Sequence, residues 1–221
     1  MTQNFTGQLR RLPVYLLLDC SSSMAGAPII AVNEGLELLY RLLMKDPQAR
    51  ETAWLSLIRF ASSASQDALT PVDQFIPPTL QASGGTAMGA AFTILLQSIK
   101  QDLQVSVQGK KGDYCPLVIL LTDGQPGDEW RSPVQQLKAL SGSQRPTIVA
   151  LGCGNDAKAA MLAEVTEKVY MMGVVTADEL RAFFQLISGS IVQSSRTPNA
   201  SGDDLPIANF ASIAGVQKYN G

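Results

Sequence analysis

Histidine is absent from all 221 residues, and its absence removes more chemistry than any other feature of the composition. Hydrolases built on Ser-His-Asp or Cys-His pairs are excluded, as are zinc and iron sites with imidazole ligands. Cysteine is scarce. Cys20, Cys115 and Cys153 are odd in number, far apart, and two of them lie beside or within apolar β-like runs, which suits reduced, buried thiols better than a disulfide framework. Charge of either sign is sparse and nearly balanced at −2, and no run of Lys or Arg is longer than Arg10-Arg11 or Lys110-Lys111. Nucleic acid and anionic membrane surfaces are therefore poor candidates for partners.

Long apolar runs are also missing, and none approaches the length needed to cross a bilayer. Arg10-Arg11, an apolar segment and Cys20 have the outline of a lipoprotein signal. The run is short, however, and Asp19 directly before the cysteine makes a poor processing site. A strand ending in a functional loop accounts for the same residues. In the cytoplasmic protein this implies, the sequons Asn4-Phe5-Thr6 and Asn199-Ala200-Ser201 carry no glycan.

Against these absences, 46% of the residues are apolar, enough to bury one large α/β core. The nearly continuous run Leu12 to Leu18 suits a strand covered on both faces, as in parallel sheets. Leu117 to Leu121 and Thr147 to Leu151 repeat the pattern, and Lys168 to Met172 repeats it more weakly. Trp54 to Phe60 reads as another strand, and Gln66 to Val72, which contains Pro71, as an edge strand. Between them Ile29, Val32, Leu36, Leu39 and Leu43 recur at helical spacing, as do Met88, Phe92, Leu95, Leu96, Ile99 and Leu103. Leu180, Phe183, Phe184, Ile187 and Ile191 repeat it near the end. The order predicts a doubly wound α/β fold, a mostly parallel central sheet flanked by helices with one antiparallel edge strand. The expected domain covers residues 10–195, after an N-terminal extension at 1–9. Residues 196–221 turn to Ser, Asn, Gly, Asp and Pro and read as a tail, mobile or lying along the domain.

In such a sheet, loops leaving the carboxyl ends of the strands converge on a crevice. Asp19 ends the first strand and Asp123 follows Leu117 to Leu121, so their carboxylates face each other if those strands are neighbours. Ser21 and Ser23 follow Asp19 at alternate positions, and Thr86 follows Gly84-Gly85 just before a helix. Two carboxylates and three hydroxyls form an oxygen-only set that selects a hard divalent cation, Mg²⁺ first, then Mn²⁺ or Ca²⁺; zinc and iron fit poorly. The set carries too little negative charge to satisfy such an ion alone. Each piece has an ordinary reading: Asp-x-Ser-x-Ser and Thr86 as helix caps, Thr122-Asp123-Gly124 as a turn. Their order, with two pieces at strand ends, favours the metal.

These residues resemble the metal-ion-dependent adhesion site of the von Willebrand factor A family, whose pattern is Asp-x-Ser-x-Ser, then Thr, then Asp. Every ligand position is filled; Ser22 stands where many relatives have Gly, at a position that is not a ligand. The resemblance implies a non-enzymatic protein-binding module in which an Asp or Glu of the partner completes the metal's coordination. Met24, Pro126 and Trp130 are candidates for an apolar rim that excludes water there, Trp130 as the anchor, or alternatively packed on its own helix. A narrower likeness lies in Arg11-Leu-Pro-Val-Tyr-Leu-Leu-Leu-Asp19, Ala27-Pro-Ile29, Lys111-Gly-Asp113, Pro116-Leu-Val118 and Asp123-Gly-Gln-Pro-Gly-Asp-Glu-Trp130. These segments look like the TerY group of bacterial tellurium-resistance-associated proteins. That likeness implies a cytoplasmic protein of a tellurite or stress-response system, with a serine/threonine kinase or a PP2C-type phosphatase as partner. Three scattered thiols give no reason to expect direct tellurium chemistry.

An alternative is a Mg²⁺-dependent phosphohydrolase with Asp19 as nucleophile. Position 21 is Ser where haloacid-dehalogenase-like enzymes need a second Asp, which counts against it. Gly152-Cys153-Gly154 lacks the third glycine of a dinucleotide fingerprint at Ala157 and reads as a tight turn, with Asn155 or Asp156 capping the next helix. Asp203-Asp204 in the tail is acidic enough to enter a neighbouring molecule's metal site when the true partner is absent.

Overall fold

The computed structural model describes residues 10–107, 111–154, 159–173, 176–196 and 205–219. The extension at 1–9, both sequons, the proposed caps Asn155 and Asp156, and Asp203-Asp204 lie outside the described residues.

The apolar runs form the strands they predict: β1 (Leu12–Asp19), β2 (Ala53–Phe60), β5 (Leu117–Thr122), β6 (Thr147–Cys153) and β7 (Val169–Met172). All five lie parallel, in the order β2-β1-β5-β6-β7. The edge beyond β2 is antiparallel, built from β3 (Ala64–Gln66) and β4 (Thr70–Pro71), so Pro71 sits where a missing amide costs no central ladder bond. A further antiparallel strand, β8 (Val216–Lys218), lies on the opposite edge against β7.

Six helices accompany the strands among the described residues: α1 (Ala27–Lys45), α2 (Pro47–Thr52), α3 (Met88–Asp102), α4 (Arg131–Ala139), α5 (Ala159–Val165) and α6 (Ala177–Ser195). Alternation along β1 divides the core. Leu12, Val14, Leu16 and Leu18 face α1 and α6 with Val32, Leu36, Phe183 and Ile187. Tyr15 and Leu17 face the other layer, where Phe92 and Leu95 of α3, Val134 of α4 and Leu162 of α5 pack. Burial on both faces is why these strands read as unbroken apolar runs.

Beyond α6, the described residues 205–219 lie along the domain and pack on this core. Phe210 is fully buried, with its ring 5.1 Å from Tyr170 and 4.9 Å from Phe183. Leu205 and Val216 are buried beside it. These scattered apolar residues have no helical or strand period long enough to mark them as core.

Candidate metal centre

The chain leaves β1 toward β2 on one side and later returns to β5 on the other, so the topological switch falls between β1 and β5. They are direct neighbours, with Leu18 paired to Leu121. Asp19 and Asp123 therefore emerge at the same crevice, the position where open α/β sheets bind ligands.

Asp19 is fully buried. One carboxylate oxygen accepts from the Ser21 amide at 2.8 Å and the other from the Thr122 hydroxyl at 2.5 Å. Both donors are neutral, so the charge is oriented without being neutralised. The Ser21 and Ser23 hydroxyls lie 3.0 Å apart, and the Ser23 hydroxyl donates to Asp123 at 2.6 Å. A β-carbon built on Gly124 would stand 3.4 Å from the Thr86 hydroxyl and 3.9 Å from that of Ser23. Asp19, Ser21, Ser23 and Asp123 are thus brought together, and Gly124 lies between the hydroxyls of Thr86 and Ser23.

Three loops hold this arrangement. The Ser22 amide donates to Gly84 and the Ser83 amide to Cys20, joining the loop after β1 to the one before α3. Gly84 makes that approach at a positive φ of 74°, where a side chain would be strained and would also strike the Ser62 hydroxyl. The Gly127 amide donates to the Thr86 carbonyl at 2.8 Å, tying the third loop to the second. Asp128 strengthens that tie by accepting from the Gly89 and Ala90 amides, both at 2.8 Å, at the start of α3.

The capping alternatives do not account for these residues. Ser21 precedes the short 3-10 turn Ser22–Met24 without a capping bond from its side chain. Thr86 is not the cap of α3, and the orphan amides there are satisfied by Asp128 from another loop. Sequence reasoning missed Asp128 and Thr122, because neither their partners nor their distances are local.

The expected apolar rim needs correcting. Met24 is fully buried in the α1 layer. Trp130 is 6% exposed and packs with the α3 and α4 residues of the other layer, while the Arg131 guanidinium covers its ring at 4.6 Å. Large apolar side chains next to a core gain more from burial than from facing solvent. Of the three, Pro126 alone keeps partial exposure.

Burial raises the pKa of two thiols whose shifts also feel the site carboxylates. Burial pushes Cys20 up to about 11, with Asp19 adding to the effect and Arg59 opposing it. Burial also raises Cys153, reinforced by Asp123, Asp19 and Glu179. Among the described residues no three His, Cys, Asp or Glu side chains gather. The donor set here is hydroxyl-rich, which fits a hard dication and not a soft one.

Residues 14–185 match the model of the von Willebrand factor type A domain. The chain belongs to this family. Solved structures share the fold of this VWA domain at low identity. A von Willebrand factor type A protein from Catenulispora acidiphila superposes with a TM-score of 0.62 at 17% identity, covering 83% of this chain and 43% of that one. The pilus adhesin SpaC from Lactobacillus rhamnosus GG gives 0.63 at 15% identity, covering 83% and 31%. Proximal thread matrix protein 1 from mussel byssus, with a zinc-occupied adhesion-site motif, gives 0.54 at 17% identity, covering 82% and 48%. The chain spans less than half the length of each of these three proteins. No curated protein matches its sequence. No described helix is long and apolar enough to cross a membrane.

Proposed function

We propose that this VWA domain is a non-enzymatic, metal-dependent protein-binding module. Asp19, Ser21, Ser23, Thr86 and Asp123 hold the divalent cation, and an Asp or Glu of a protein partner completes its coordination. The observation that carries this reading is the convergence of loops that sets the Ser23 hydroxyl between that of Ser21 and the Asp123 carboxylate, with Asp19 buried alongside. A cation held by two carboxylates and neutral oxygens keeps a demand for a further anion, which a partner's carboxylate meets where water is excluded. Oxygen-only donors favour Mg²⁺, with Mn²⁺ and Ca²⁺ next. Zinc in the mussel protein's motif makes zinc the further ion to compare.

The likeness of segments 11–19, 27–29, 111–113, 116–118 and 123–130 to the TerY group supports a cytoplasmic bacterial tellurite or stress-response system. The partner there is a serine/threonine kinase or a PP2C-type phosphatase. Phosphoryl transfer through Asp19 is disfavoured, because position 21 is Ser where haloacid-dehalogenase-like enzymes need a second Asp as acid/base.

Pull-down of these partners by wild type, Asp19→Ala and Thr86→Ala, each with and without EDTA, tests the reading. Capture by wild type alone, and only without chelator, is the expected result. Undiminished capture in every arm contradicts it.

A further inference from the structure

At the opposite end of the sheet, beneath the amino ends of β6 and β7, lies a concavity of about 290 Å³ that no part of the metal-site account uses. Lys138 from the end of α4, Arg145 from the turn before β6 and Lys168 from the residue before β7 line it. Glu167 contributes the one carboxylate of the lining. The floor includes Pro146 and the Thr166 hydroxyl, which is held by donation to the Ile148 carbonyl at 2.7 Å.

The pairing of these cations is uneven. Lys138 donates to the Glu164 backbone carbonyl at 2.6 Å, and the Glu164 carboxylate is taken bidentately by Arg131. Among the described residues the side chains of Arg145 and Lys168 make neither an ion pair nor a hydrogen bond. In a chain with more acidic than basic residues, three cations against one carboxylate in a single concavity is a local excess of +2. The three come from separate stretches of chain, so no basic run announces them in the sequence.

We propose that this concavity binds a phosphate monoester dianion, free or carried on a protein side chain. Its excess charge matches the dianion. Arg145 supplies a planar fork suited to phosphate oxygens, and Lys138 and Lys168 supply point charges from two other directions. A volume near the lower bound of small-molecule sites, about 300 Å³, admits a phosphoryl group together with the atoms that carry it. The site lies across the sheet from Asp19 and Asp123, so it is independent of the metal and of the partner carboxylate.

The test is calorimetric titration of the full chain with inorganic phosphate, with a phosphoserine peptide, and with the unphosphorylated peptide. Wild type, Arg145→Ala, Lys168→Ala, the double variant and Glu167→Gln are compared. Saturable binding of a phosphate-bearing probe, weakened on the order of tenfold for each cation removed, is expected. Glu167→Gln tightens it. Phosphopeptide binding without binding of its unphosphorylated twin assigns the source to a protein side chain, and inorganic phosphate binding alone assigns it to the free ion. Both results support the site. No saturable binding of either probe, or equal binding by wild type and a double variant whose circular dichroism shows it folded, overturns it.

Discussion

Ser23 donates its hydroxyl to Asp123 across 2.6 Å although a hundred residues separate them in the chain. That bond joins the loop leaving β1 to the loop leaving β5, and it exists because the two strands are paired in register. The candidate metal centre is thus a property of the sheet order as much as of its side chains.

Gly89 shows how tightly the loops are braced. A β-carbon there would lie 1.9 Å from the Glu129 carbonyl oxygen and 3.0 Å from the Asp128 carboxylate. Gly89→Ala is expected to cost about 1–3 kcal/mol, as overpacking does. It should also weaken divalent-cation binding with no ligand altered. Urea unfolding and a metal titration of the same variant check both effects, and unchanged affinity would show that this brace does not position Thr86 and Asp123.

Trp130 is expected to matter for folding and not for recognition. Trp130→Ala should destabilise by about 3–5 kcal/mol, the usual cost of deleting a buried aromatic side chain. Trp130→Phe, which keeps much of that packing, should still bind the partner in the pull-down. Selective loss of binding in a stable Trp130→Phe protein would restore the tryptophan to the binding surface.

Much of this architecture was legible in the sequence, and the reason is periodicity. Strands buried on both faces leave unbroken apolar runs, and α1, α3 and α6 carry stripes that span several turns. The meeting of the candidate ligands Asp19, Ser21, Ser23 and Asp123 was legible because motif order stands in for proximity. Sequence periodicity did not reveal β8, a strand of three residues whose docking depends on Phe210 reaching Tyr170 and Phe183. Nor did it reveal that Met24 and Trp130 point inward, since an apolar residue beside a site is compatible with either direction.

Phe210 carries the contribution of the C-terminal segment. Phe210→Ala should lower stability by about 3–5 kcal/mol and shift the urea midpoint accordingly. A change under about 0.5 kcal/mol, the range of ordinary surface substitutions, would mean the segment adds nothing to the core.

Alkaline pH should destabilise the fold through buried acids, with Tyr15 and Cys153 acting alongside Cys20. Burial pushes Tyr15 from its ordinary 10.0 up to about 12, and Cys153 is raised from 9.0. Below those ordinary values both groups are protonated whether folded or not, so they impose no pH dependence. Above them the unfolded chain releases protons that the folded one retains. Stability then falls by about 1.4 kcal/mol per pH unit for each group. Urea midpoints measured from about pH 8 to about pH 11 should decline, and Tyr15→Phe should remove its share of the slope. A flat profile across that window would contradict the burial of these groups.

The central claim is that five side chains from three loops hold one divalent cation. Electron paramagnetic resonance of free Mn²⁺ during titration into wild type and Asp123→Ala, with Mg²⁺ as competitor, tests it most directly. The account predicts a single saturable Mn²⁺ site in wild type, emptied by Mg²⁺ and lost in Asp123→Ala. Equal Mn²⁺ uptake by the two proteins, or no saturable uptake by wild type, would contradict it.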